Sequence, residues 1–198
     1  MIHVEQKAEP KNFDKEVRQK GLRWLAKKNI DIKIPLPSGT SLFPYWRSCQ
    51  EDLYLYYGGI CAYLAIFFEQ TTGVNVEHFH PKSLYPDLAY EWCNYRLSCP
   101  AVNSRKNASV DILDPFKIKN DWFYLEFVSG MIFPNPQLSC TLKNKVQITI
   151  DRLNLDSAAH REMRARHYQE YREKKVTEDY LKRYSPFVWK EAVRQHLL

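Results

Sequence analysis

Apolar positions along this chain change period several times, and each change marks an element. Over residues 13–28, FDKEVRQKGLRWLAKK, Phe13, Val17, Leu22 and Leu25 fall at helical spacing and Trp24 broadens the stripe. The charges lie elsewhere, so the pattern predicts an amphipathic helix. IPLPSGTS is a proline-rich connector, and PYWRSCQEDLYLYY predicts a second helix that Gly58-Gly59 ends. The apolar run ICAYLAIFF, Ile60 to Phe68, reads as a buried strand or as a strand pair around a turn. VEHFH is strand-like up to Pro81, because a residue before proline favours extended backbone. SLYPDLAYEW reads as loop and NYRLSC as a short strand. PAVNSRKNAS predicts a helix with Pro100 at its first position and Ser98 or Cys99 near its cap. Aromatic and β-branched residues around Ser129-Gly130 in WFYLEFVSGMIFPNP predict a hairpin. Residues 143–198 read as helices, with Asp156 and Thr177 as caps.

This order of elements is that of an α+β chain. Its parts are an N-terminal helical segment (1–57), a central strand–loop–strand–helix core (58–118), and a hairpin with a helical C-terminal lobe (119–198). A length of 198 residues with 44% hydrophobic content suits one core with an attached lobe. The nine-residue apolar run is too short to span a bilayer as a helix. The N-terminus has no apolar leader region, so the expected location is cytoplasmic. Five cysteines, an odd number without an export signal, read as mostly buried free thiols. The absence of GxxxxGK[ST] excludes a P-loop ATPase. The net charge of +6 is concentrated in residues 143–198, which carry 13 Lys/Arg against 8 Asp/Glu. That excess suits a polyanion or an acidic partner surface, and equally a solvated basic helix face.

The candidate chemistry gathers at VEHFHPKS, where two of the six histidines stand with Glu77 and Lys82. Asn94 follows His78 by 16 residues, and Asn103 lies 9 further on. Phosphodiester hydrolysis needs a base for water, and neutral His can serve. It also needs a hard cation held by oxygen ligands. On this reading His78 is the base, Glu77 and Asn103 hold the cation, and Asn94 braces the loop that carries His78. Two protein ligands suit hydrated Mg²⁺ or Mn²⁺ better than zinc. One geometric demand follows: neighbours on a regular strand face opposite ways, so β-structure must end or bulge at Glu77-His78. The strand-regular alternative pairs His78 with His80 as an H-x-H transition-metal site.

The segment EHFHPKS…YEWCNYRLSC…N..K resembles the HNH motif of the ββα-metal endonucleases. Within that family it is similar to the branch that includes PtuB, the nuclease subunit of Septu and some retron anti-phage systems. The resemblance is strongest over residues 58–107 and looser downstream, through ILDPF, FYLEFVSGMIFP and ITIDRLNLDSAAHR. It implies a ββα-metal core, His78 as general base, Asn94 as the middle asparagine, and Glu77 and Asn103 at the metal. It also implies a nucleic-acid substrate, DNA first and RNA by the same chemistry, and an ATPase partner of the PtuA type. His80, Lys82, Arg105 and Lys106 are the candidate phosphate contacts. Many members of that branch carry two Cys pairs for a structural zinc. Here each pair keeps one thiol, Cys61 with Leu64 and Cys99 with Val102, so no structural zinc is expected. The rival reading is a non-catalytic nucleic-acid-binding or assembly subunit on a degenerate HNH scaffold.

Overall fold

A stripe of residues spaced by four opens the structure: Phe13, Val17, Gly21 and Leu25 are buried, while Leu22 is 42% exposed. These residues belong to a wide turn at Asp14–Arg18 that runs into helix α1 (Gln19–Lys27). Gly21 takes the place expected of Leu22 because the Tyr90 ring lies there; a Cβ on Gly21 would stand 2.2 Å from that ring. The computed structural model describes all of residues 1–198 as an α+β chain with seven α-helices and two small antiparallel sheets. It divides into two compact units, one of Gln6–Gly59 with Glu69–Val110, the other of Met1–Glu5, Ile60–Phe68 and Asp111–Leu198. The division therefore does not follow three consecutive segments. The N-terminal helices share a unit with the central strands, and the apolar run 60–68 goes with the C-terminal helices.

In the first unit, a tight turn at Tyr45–Cys49 leads into α2 (Gln50–Tyr56). Gly58 and Gly59 then leave the helix at φ of +59° and +68°, a region glycine enters without steric cost. Strand β1 (Asn75–His78) pairs antiparallel with β2 (Tyr95–Ser98), with Glu77 opposite Arg96 and His78 opposite Tyr95. Helix α3 (Pro100–Lys106) starts directly after β2, with Pro100 in its first turn, and packs on β1. Phe13 sits edge-on to Trp92 and Tyr95, with centroids 5.5 and 5.8 Å apart. Burying each such ring contributes about 1.5–3 kcal/mol. Val102 is buried on α3.

In the second unit, Ile60 and Phe67 form a single antiparallel bridge around a turn at Ala65, whose φ is +50°. Strands β3 (Phe123–Leu125) and β4 (Ile132–Pro134) form the expected hairpin. Gly130 turns it at φ +71°, and a Cβ there would collide with the Arg161 carbonyl at 1.9 Å. Four helices follow: α4 (Cys140–Arg152), α5 (Ala158–Arg172), α6 (Glu178–Tyr184) and α7 (Pro186–Arg194). Thr177 caps α6 as expected, accepting from Tyr180 N at 3.2 Å. The cap of α5 is Ser157 rather than Asp156. Asp156 instead accepts from Ile132 N at 2.9 Å and pairs with Arg161, tying the hairpin to the helix start. All five cysteines are free; Cys49 and Cys61 are buried and Cys99 half-buried, whereas Cys93 and Cys140 are exposed. No helix is long and apolar enough to cross a membrane.

Candidate functional site

Strand β1 ends at His78, and that ending lets two consecutive side chains reach one space. Glu77 and His78 both line a cavity of about 450 Å³ in the first unit. Asn103 and Ser104 line it from α3, and Lys82 and Ser83 from the loop after Pro81. Thr40, Ser41 and Leu42 supply a further wall from the connector, which the sequence pattern marked only as a linker.

His78 is 6% exposed and lies among aromatic rings. Trp46 and Tyr95 meet it edge-on at centroid distances of 4.8 and 5.0 Å. Its Nε2 stands 2.9 Å from the Ala89 carbonyl oxygen. A carbonyl only accepts, so Nε2 carries the proton and donates, which leaves the lone pair of the neutral ring on Nδ1. Tyr95 Oη donates to the same carbonyl at 2.9 Å. Burial, with Lys82 and then Lys106 as nearby positive charges, pushes the imidazole down to about 3, against a smaller upward pull from Ala89. The ring is therefore neutral at physiological pH.

Asn94 is buried and spends its whole amide on the loop. Its Oδ1 accepts from His80 N at 2.7 Å, and its Nδ2 donates to the His80 and Leu88 carbonyls, both at 3.0 Å. It thus clamps the backbone on the far side of His78 and beside Ala89, the carbonyl that sets the tautomer. Lys82 is half-buried, with its ammonium 5.3 Å from the Trp46 ring centre. Burial lowers its pKa, opposed by Glu77 and aided by Lys106. Arg105 is exposed on α3.

Two candidate contacts stand elsewhere than the sequence pattern suggested. Lys106 is fully buried, not displayed to a phosphate. Its Nζ pairs with Glu77 Oε1 at 2.7 Å and donates to the His78 carbonyl at 2.9 Å. The reason is helical spacing: Lys106 follows Val102 by four residues, so both lie on the face of α3 that packs on β1. His80 does not line the cavity. Its ring meets Phe79 and Tyr85 at 5.0 and 5.2 Å, and β1 stops before it, so His78 and His80 share no regular strand face.

The donor set fits a hydrated hard dication. A carboxylate and an amide line the same cavity as the imidazole, and Mg²⁺ keeps most of its waters. No group of three or more His, Cys, Asp or Glu gathers anywhere in the chain. Lys106 holds one carboxylate oxygen of Glu77, which fixes that group before any ion arrives. Sequence reasoning missed Trp46, whose edge orients His78, and the Thr40–Leu42 wall. The wall had a weak signal in the prolines at 35 and 37, which stiffen the segment. The chain matches no protein-family model and no curated protein.

Proposed function

We propose that the chain is an endonuclease of the HNH type, hydrolysing phosphodiester bonds in DNA. The observation that supports this most is the convergence of His78, Glu77 and Asn103 on one cavity, with the tautomer of His78 set by Ala89. The order β1, β2, α3 supports a ββα core. Neutral His78 accepts a proton from water at its lone-pair nitrogen as the water oxygen attacks phosphorus. The P–O bond to the leaving sugar oxygen then breaks, and a second proton supplied by solvent completes the alcohol. An arriving phosphate raises the proton affinity of the ring, because it adds negative charge to a site that holds two lysines. Glu77 and Asn103 would hold Mg²⁺ or Mn²⁺, which when bound neutralises charge on the phosphoryl and leaving oxygens. Asn94 is a positioning residue that holds the His78 loop.

The test is cleavage of plasmid and of labelled RNA by the purified chain with Mg²⁺ or Mn²⁺, with and without an ATPase of the PtuA type. His78→Ala and Asn103→Ala both silence cutting while the far-ultraviolet circular dichroism is kept. Undiminished cutting by His78→Ala removes the reading. The ATPase partner is proposed on the sequence resemblance and on the basic C-terminal region. Deleting residues 156–198 is not a clean test of it, because Arg164 and Glu191 bind the backbone of the β3–β4 hairpin. Charge reversal at the exposed Arg166 and Lys174 leaves those bonds intact, and loss of co-purification with the ATPase would locate the interface there.

A further inference from the structure

The connector that walls the cavity at Glu77 and His78 has a second concavity on it. Thr40 and Ser41 also wall a second concavity of about 540 Å³, lined by Ile30, Ile34, Pro35 and Trp24. Trp24 in turn lines a third, of about 430 Å³, with Lys20, Arg23, Lys27 and Tyr45. All three lie in the unit formed by Gln6–Gly59 and Glu69–Val110. Shared lining residues place the three side by side in one run along the surface, from the candidate phosphate site to α1.

Trp24 has no partner that explains it. Its indole makes no hydrogen bond and no ring contact, as is also true of Trp122 in the other unit, whereas Trp46 packs on His78, Trp92 donates to the Lys7 carbonyl and Trp189 donates to Glu178. Around it the charge is one-sided. Arg23, Lys27 and Lys28 are exposed, and Lys20 pairs with Glu16. Asp31 is the single carboxylate lining the second and third concavities, and its Oδ1 accepts from Lys33 N.

We propose that this run is the track for a single-stranded nucleic-acid segment flanking the cleaved phosphate. Trp24 stacks on a base, and Arg23, Lys27 and Lys28 bind the backbone. The proposal rests on the nuclease reading for the identity of its ligand. Arg23 Nε donates to the Gln19 carbonyl at 3.2 Å, and none of the three cations has a carboxylate partner. A half-buried indole with no ring or hydrogen-bond partner beside such cations is the combination that binds unstacked bases without reading their sequence. A duplex keeps its bases stacked inside and has none to offer Trp24.

Fluorescence anisotropy of a labelled oligodeoxynucleotide of about a dozen nucleotides, the site size of such tracks, tests this on the full chain. A chelator is present so that nothing is cut. Trp24→Ala weakens binding about tenfold, as loss of one stacked base does, and Trp24→Tyr restores most of it. Arg23→Glu with Lys27→Glu weakens it further and flattens the salt dependence, because fewer counterions are released. Lys119→Glu, exposed in the other unit, changes binding little. The duplex of the same sequence is insensitive to Trp24→Ala. Wild-type affinity in the Arg23/Lys27 variant, or equal loss on duplex and single strand in Trp24→Ala, overturns the track. Binding is read without divalent ions, so the two failures separate. Track-dependent binding without cleavage under Mg²⁺, with the ATPase present as well as without it, leaves the track and removes the nuclease. Cleavage with track-independent binding does the reverse.

Discussion

Both units bury charge, and they use it differently. In the second unit Arg164 donates to the Gly130 and Leu155 carbonyls at 2.8 Å and faces Asp156 at 3.4 Å. Glu191 accepts from Leu125 N at 2.8 Å and pairs with Arg194. Each of these ions joins helix to hairpin, and each partner is backbone or a neighbouring ion. In the first unit Glu77 and Lys106 form a pair that is as deeply buried, but Glu77 also borders a cavity beside an imidazole. The same kind of ion pair is a staple in one place and borders the candidate site in the other. A buried pair by itself says little about stability, since desolvation offsets most of its attraction. What it faces decides its use.

The comparison breaks most visibly at His78. If the first unit's polar groups serve chemistry, His78→Ala lowers the cleavage rate by at least about 10²–10⁴-fold, the usual contribution of a general base. Urea unfolding of the variant still shows a cooperative transition. Arg164→Met in the second unit acts in the opposite sense. It leaves Asp156 with less compensation and frees two carbonyls, at a cost of about 3–5 kcal/mol in stability. A collapse of folding in His78→Ala, or cleavage lost in a still-folded Arg164→Met, would reverse the assignment of roles.

Part of the fold could be read from the sequence, and the misses have identifiable causes. The hairpin at Ser129-Gly130 was legible because only glycine fits against the Arg161 carbonyl. The cap at Thr177 was legible because Thr stands just before a run of helix formers. Asp156 was misplaced by one residue because Asp and Ser cap equally well, and only the tertiary bond to Ile132 decides which is free to do so. Leu22 reads as core on hydrophobicity alone. The true stripe includes Gly21, which is invisible to a hydrophobic count. The convergence of Glu77, His78 and Asn103 followed from motif spacing. Lysine is almost never fully buried, so Lys106 reads from sequence as a surface cation. One signal points inward: its position four residues after Val102, on the face of α3 that packs on β1.

The Glu77–Lys106 pair sharpens the comparison next. Lys106→Met strands a carboxylate that is 2% exposed, and the expected loss is about 3–5 kcal/mol by chemical denaturation. Adding Glu77→Gln removes the stranded charge, so the double variant recovers most of that stability, with a coupling of about 1–3 kcal/mol between the sites. If Glu77 holds the cation as proposed, cleavage does not recover, because a neutral amide brings no negative charge to that position. Were the pair only a staple like Arg164 and Asp156, stability and activity would return together.

The smallest effect distinguishes the units by their response to acid. In the second unit His160 donates from Nδ1 to the Asn154 carbonyl at 2.9 Å, and His167 is bonded to Ser185 Oγ. Burial is the main cause that lowers both below the ordinary histidine value. Arg164 adds to it for His160, and Arg166 for His167, where Glu170 pulls the other way. A lowered folded-state pKa means that the unfolded chain takes up protons first as pH falls. Stability from these groups is complete above about pH 6.5, where both states are neutral, and declines as the pH drops below it toward the folded values. The variant His160→Gln with His167→Gln should therefore lose less melting temperature than the wild type between pH 7.5 and pH 5, by about a degree or two at this size. Equal losses would mean that acid acts through other groups, and that these two imidazoles, unlike the ion pairs around them, contribute nothing to how the second unit holds its helices.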